Sequence, residues 1–215
     1  MSRAPRSARD RIELICGYGL IVLILWMPEF PQRVLSPVAL FVTLAIVFAR
    51  RPSLDELGLS HRGLVPSFWI LPAAILLAIA GVLIAKQLGT LHPLYQSDFK
   101  HVFSYVLWTT YQQFQLNDYF MPRLTRLLSK ESAALRLAAL LFAAAHLPNF
   151  PLTAATLVWG AISFALFRRY RNLYALGLAQ GLLGLCFAAC VPGAWIHHMR
   201  VGLGYLRYHP PPPAP

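Results

Sequence analysis

Residues 109–120, TTYQQFQLNDYF, carry three glutamines, an asparagine and an aspartate within seven positions of an otherwise apolar stretch. On a helix, Thr109, Gln113 and Asn117 recur every four residues and Gln112, Gln115 and Asp118 every three, so they form one broad hydrophilic face. Amides donate and accept hydrogen bonds without charge, and an aspartate shielded from water holds a proton that it can give away. Such a set can orient a ligand and transfer a proton to it. A carboxylate at mid-bilayer costs about 2.5 to 3.5 kcal/mol on the insertion scale, so this face must look into protein. Helix-to-helix bonding by amides, worth about 1 kcal/mol or less each, explains one or two of them. Five in seven residues favour a polar pocket.

Two further polar marks follow. His146 ends an apolar run in FAAAHLPN, where Phe142 precedes it by one turn and Pro148 and Asn149 mark a helix end. Gln180 stands in YALGLAQGLLG, whose Gly177, Ala179, Gly181 and Gly184 permit close approach of a neighbouring helix. Near the C-terminal end, WIHHMRVGLGYLRY mixes aromatic and basic residues in the manner of a membrane-interface segment. Its second reading is a cap, with His197, His198 and Arg200 closing the pocket and Gly202 and Gly204 letting the segment fold back. Cys16, Cys186 and Cys190 read as small apolar residues, although Cys186 and Cys190 share a helical face. Of eight carboxylates, Asp118 alone falls inside an apolar run.

The elements that must position these groups are membrane helices. Hydrophobic residues make up 57% of the 215 and charged residues 13%, with a mean hydropathy of +0.54, far from a soluble domain. Apolar runs at 14–28, 34–49, 68–85, 102–121, 133–147, 152–167 and 173–191 each approach the length of a spanning helix. They are rich in Leu and Ala and lack the alternation of barrel strands. The expected fold is an all-α integral membrane bundle of about seven transmembrane helices. Arg3, Arg6, Arg9 and Arg11 precede the first run, but no small-residue cleavage site follows it, so the run reads as a span rather than a signal peptide. With the N-terminus inside, fourteen of the nineteen basic residues fall on one side, which is the positive-inside bias. The net charge of +11 therefore points to anionic lipid headgroups and not to nucleic acid. The expected organisation is a basic cytoplasmic tail at 1–13, one transmembrane domain at 14–208, and a proline-rich disordered tail at 209–215.

The three polar marks, in this order, resemble those of the CAAX-protease and bacteriocin-processing family (CPBP or Abi) of intramembrane glutamate-type metalloproteases. The resemblance covers about 57–183. The family's first motif, E-E-L-L-F-R-G-F-L-L-P-R-L, aligns without a gap on QQFQLNDYFMPRL at 112–124. Its second, F-x-x-x-H followed by L-P-N, is met in full by Phe142, His146, Leu147, Pro148 and Asn149. Its third, S-L-W-x-A-I-x-A-H-x-x-x-N, resembles NLYALGLAQGLLG, with Gln180 at the histidine and Gly184 at the asparagine. The resemblance implies a CPBP-like helical core and an endopeptidase ancestry. It also exposes departures, since Gln112 and Gln113 stand for both glutamates, Asn117 for the arginine and Gln180 for the histidine. Only His146 keeps the family identity.

Water activation needs a base, directly or on a metal, and an amide offers no basic lone pair and is a poor zinc ligand. No cofactor is expected, and the donor set disfavours a metal. Three functions follow. The first is a refitted enzyme acting on an isoprenoid or other lipid-like substrate by cyclase-type acid–base chemistry through Asp118 and His146. Tyr111 and Phe114 would line its cavity and the glutamines would orient the substrate. The second is a non-catalytic pseudoprotease that binds membrane helices or prenyl tails. The third is a divergent CAAX-type endopeptidase in which Asp118, His146 and one of His197 and His198 replace the lost groups. The expected location is a bacterial inner membrane with the N-terminus cytoplasmic.

Overall fold

The computed structural model describes residues 4–94 and 97–209. Every regular element among them is helical. In chain order these are α1 (Ala4–Leu25), α2 (Glu29–Phe48), α3 (Ile70–Leu88), α4 (Phe99–Phe114), α5 (Met121–Leu127), α6 (Glu131–Ala144), α7 (Phe150–Tyr170) and α8 (Leu173–Cys190). Two short helices, α9 (Gly193–Ile196) and α10 (Gly202–Leu206), follow. The boundaries have local causes. Asp98, Asn149 and Asn172 cap α4, α7 and α8 by accepting from His101 N, Leu152 N and Ala175 N, and Gly89 ends α3 in the left-handed conformation.

Helices α3, α4 and α8 pack together, as do α6 and α7. Small residues on α8 allow the close approach. A Cβ on Gly177 would lie 2.8 Å from the Thr110 Cα, and one on Gly181 would lie 3.0 Å from the Val106 Cγ2. Thr109 Oγ1 donates to the Gly177 carbonyl at 2.9 Å across the same interface.

Among the described residues, four helices, α2, α3, α7 and α8, are long and apolar enough to cross a membrane. The expected seven runs are all helical, but three fall short of a spanning helix for identifiable reasons. The first lies in α1, whose opening turns carry Arg9, Asp10, Arg11 and Glu13. The fourth is interrupted, because α4 gives way at Gln115–Phe120 to a π-helical turn that leads into α5. The fifth, carried by α6, has a helix of 14 residues that reaches only about 21 Å, against a hydrocarbon core of about 30 Å.

The expected tail at 1–13 is instead helical from Ala4 and tied down by charge. Arg126 donates to both carboxylate oxygens of Asp10, at 2.7 and 2.8 Å, and Arg50 to Asp10 and Glu13 at 3.0 and 2.7 Å. Glu13 also receives Arg9 and Arg123, each at 2.7 Å. The Tyr119 hydroxyl donates to the Glu13 carbonyl at 2.6 Å, and Arg123 lies 4.0 Å over the Tyr119 ring. This clasp fixes α1 to the end of α2 and to α5. Residues 1–3 and 210–215 of the expected tails lie outside the described residues.

The clasp has an acid limit. Hydrogen bonding from Arg126 holds the Asp10 carboxyl at about 2, below its ordinary 3.8, and outweighs the opposing effect of burial. The stabilisation from a depressed carboxyl is complete above the unfolded value and is lost as pH falls through the folded one. Thermal unfolding in detergent is therefore expected to hold near pH 5 and to fall between about pH 4 and 2. Asp10→Asn should start lower and show a smaller drop across that window.

Candidate functional site

A cavity of about 1060 Å³ opens between α2 and the packed α3, α4, α6, α7 and α8. Its wall is mostly aliphatic and aromatic, with polar groups from the three sequence marks and with Glu29, Gln32, Arg33 and Ser36 from α2. Gln112 and Gln115 reach it from α4 and the π turn, His146 from the end of α6, and Gln180 from α8.

The amides form a continuous chain. Gln180 Nε2 donates to Gln112 Oε1 at 2.6 Å, and Gln180 Oε1 accepts from Gln113 Nε2 at 2.5 Å and from the Trp159 indole at 3.0 Å. Gln113, fully buried behind the wall, accepts from Asn117 Nδ2 at 3.0 Å. Gln115 turns to the Tyr111 hydroxyl at 2.8 Å, which in turn meets Thr43 Oγ1 of α2 at 2.7 Å. Residues of the first and third marks thus meet, with His146 of the second on the same cavity wall, and the substitutions match one another: where the resembled motifs carry charge, amide meets amide.

His146 is 8% exposed and keeps the edge of its ring against Phe142, centroids 5.1 Å apart. Its Nδ1 lies 2.8 Å from the Phe142 carbonyl, an acceptor only, so in the neutral ring the proton sits on Nδ1 and Nε2 carries a bare lone pair. No hydrogen bond to Nε2 occurs among the described residues, and it serves as the cavity's acceptor.

Asp118 is not among the residues lining the cavity. The π turn explains why, since its wider pitch takes Asp118 off the stripe that a regular α-helix would give Gln112 and Gln115. Asp118 is buried, and one of its oxygens has no hydrogen-bond partner among the described residues. Asp118 therefore does not share with His146 the cavity wall on which the two were expected to act together. Asn117 is likewise behind the wall, supporting Gln113.

The C-terminal segment does cover the cavity, but through other side chains than expected. Met199 and Val201 line the wall, whereas His197, His198 and Arg200 do not. His197 stacks on Tyr205 and Tyr208 at 4.0 and 4.8 Å, His198 meets the edge of Tyr208, and Arg200 lies 5.5 Å over the Tyr208 ring. The histidines of a divergent hydrolytic set are therefore committed to an aromatic stack. Asn149, also fully buried, is a clamp rather than a pocket residue. Its Oδ1 caps α7, and its Nδ2 donates to the Ile196 and Arg200 carbonyls at 2.9 and 3.0 Å.

Gly202 completes the fastening. Its N–H donates to the Leu147 carbonyl at 2.8 Å, its φ is +56°, and a Cβ there would strike the Leu25 backbone. Alanine at this position is strained by about 1–2 kcal/mol from the left-handed backbone alone. Gly202→Ala is expected to raise hydrogen exchange across 193–206 without raising it elsewhere. Unchanged protection of that segment would mean that it is held by something other than this contact.

Sequence reasoning passed over Trp159, Tyr105, Met199 and Val201. Trp159 carried a readable signal, because an indole N–H within a span needs a partner and Gln180 was the candidate within reach of α8. Tyr105 stands one α4 heptad before Gln112, on the same face. Met199 and Val201 carry no such mark.

Beside the amides, the groups on the cavity wall that could ligate a metal are His146, Glu29, Cys186 and Cys190, and no group of three or more His, Cys, Asp or Glu able to hold a metal occurs among the described residues. This donor chemistry does not fit the site of a metalloprotease. No curated protein and no solved structure matches the chain. The profile described as Type II CAAX prenyl endopeptidase Rce1-like does match, over residues 25–186, which takes in all three polar marks and the helices that carry them. Together with the four apolar helices, this makes the protein an integral membrane protein. The chain belongs to the Rce1-like family of type II CAAX prenyl endopeptidases.

Proposed function

We propose that this protein has exchanged its family's hydrolytic centre for a neutral cradle and binds the apolar chain of a prenylated or other lipid-like ligand without cutting it. The observation that carries this reading is the amide chain from Gln112 through Gln180 and Gln113 to Asn117, facing a largely apolar cavity of about 1060 Å³. A cavity of this size and lining suits a long hydrocarbon chain. Among the residues lining it, the one carboxylate is Glu29, exposed at the start of α2 and paired with Arg33. His146 is left without a carboxylate to orient or assist it, so water has no base-and-acid pair to activate it. Cyclase-type chemistry is disfavoured on the same ground, because Asp118 is not among the residues lining the cavity.

The ligand reaches the cavity from the bilayer. The basic ends of α5 and α7 and the loop after α2 would face anionic headgroups of the cytoplasmic leaflet, with the N-terminus on that side of a bacterial inner membrane. A geranylgeranylated peptide ending in a CAAX sequence should bind the purified protein reversibly. Ala145→Trp, which fills the wall beside His146 with an indole, should weaken that binding at least tenfold while leaving the fold intact. Binding that is indifferent to Ala145→Trp would place the ligand elsewhere.

A further inference from the structure

Resting on the reading of the cavity as a lipid-binding one, the unused hydrogen-bonding capacity of its wall selects the head of the ligand. Gln112 spends its Oε1 on Gln180, and no hydrogen bond from its Nε2 occurs among the described residues, so both N–H groups remain to give. Gln180 spends both acceptor positions of its Oε1 on Gln113 and Trp159 and one N–H on Gln112, which leaves it a single N–H. His146 offers the opposite function, a bare Nε2 that only accepts. The Tyr105 hydroxyl, on the same wall and without a hydrogen bond among the described residues, can do either.

The wall therefore presents donors from two amides and an acceptor from one imidazole, and none of these groups is an ammonium, a guanidinium or a carboxylate. Against these groups a diphosphate or carboxylate head would leave water without a counter-charge, since the cavity's guanidinium, Arg33, is already paired with Glu29 on α2, and the desolvation cost would be large. A ketone, quinone or ether accepts from the amides but has no hydrogen for His146 Nε2, which would then be desolvated and unpaired. A hydroxyl meets both demands at once, since its oxygen accepts from an amide N–H while its proton goes to the imidazole. We infer that the cavity takes a neutral long-chain alcohol, with its hydroxyl held between His146 Nε2 and the Gln112–Gln180 amides and its chain along the apolar wall.

The test compares three probes that share one chain. Apparent affinities of geranylgeraniol, geranylgeranyl methyl ether and geranylgeranyl diphosphate are measured on the full chain in lipid nanodiscs. The alcohol is expected to bind about tenfold more tightly than the ether, the ratio for one hydrogen bond made against one left unmade, and more tightly than the diphosphate. In His146→Phe, which keeps the ring edge and removes the acceptor, alcohol and ether should bind about equally, and retained ether binding reports that the cavity is intact. Equal binding of all three by the wild type would overturn the head-group inference and leave the lipid-binding reading standing. Preference for the diphosphate would overturn it in favour of the Arg33 end of the cavity. Binding of none of the three would end the lipid-binding reading itself.

Discussion

Arg123→Ala is expected to lower stability by about 3 kcal/mol or more, read as a large drop in thermal unfolding temperature in detergent. The side chain is 1% exposed, and it bonds Glu13 through Nε at 2.7 Å and the Tyr119 carbonyl at 2.5 Å. Removing one member of a buried ion pair costs about 3–5 kcal/mol because the other charge stays in place. Arg9 and Arg50 still reach Glu13, so the lower end of that range applies. The double substitution Glu13→Gln with Arg123→Met removes both charges and should be milder than Arg123→Ala alone. If Arg123→Ala unfolds like the wild type, α1 is not held by this clasp.

The second large effect concerns the amide chain itself. Gln113→Glu inserts a carboxylate at a fully buried position whose side-chain hydrogen-bond partners are Gln180 and Asn117, neither of which is charged. An uncompensated buried charge costs several kcal/mol, so the variant should be poorly folded, or should bind a proton and unfold as pH rises. Asn117→Arg on the same background supplies a cation one helical turn away and should recover much of the loss. Asn117→Arg alone should destabilise. That pattern, two harmful single changes and a milder double, is what a charged pair replaced by a neutral one requires. Additive effects would mean that residues 113 and 117 are not coupled, despite the 3.0 Å contact between them.

How much of this was legible beforehand differs by element. The helical class and the three polar marks were readable because lipid-facing sequence has no other use for amides, and because order and spacing resemble one family. The meeting of Gln112, Gln113 and Gln180 was expected on the same ground. What could not be read was the π turn at Gln115–Phe120, which depends on packing against α2, α5 and α7 rather than on any residue's own preference. It reassigns Asp118, and with it the acid that a catalytic reading needs. The partners of Asp10 and Glu13 were equally hidden, since bonds spanning 116 and 110 residues leave no local periodicity. For the C-terminal segment the fold-back was anticipated through Gly202, but the side chains facing inward alternate with those predicted. Met199 and Val201 point to the cavity because His197, His198 and Arg200 are drawn to Tyr205 and Tyr208.

The most direct measurement of the central claim is incubation of the purified, membrane-reconstituted protein with a geranylgeranylated CAAX peptide in oxygen-18 water, followed by mass spectrometry of the peptide. A neutral cradle holds the peptide and returns it whole, with no label and no shortened product above the protein-free control. Release of the last three residues with oxygen-18 in the new carboxylate, abolished by His146→Phe, would show that this cavity still hydrolyses and that its amides are not what they are taken to be.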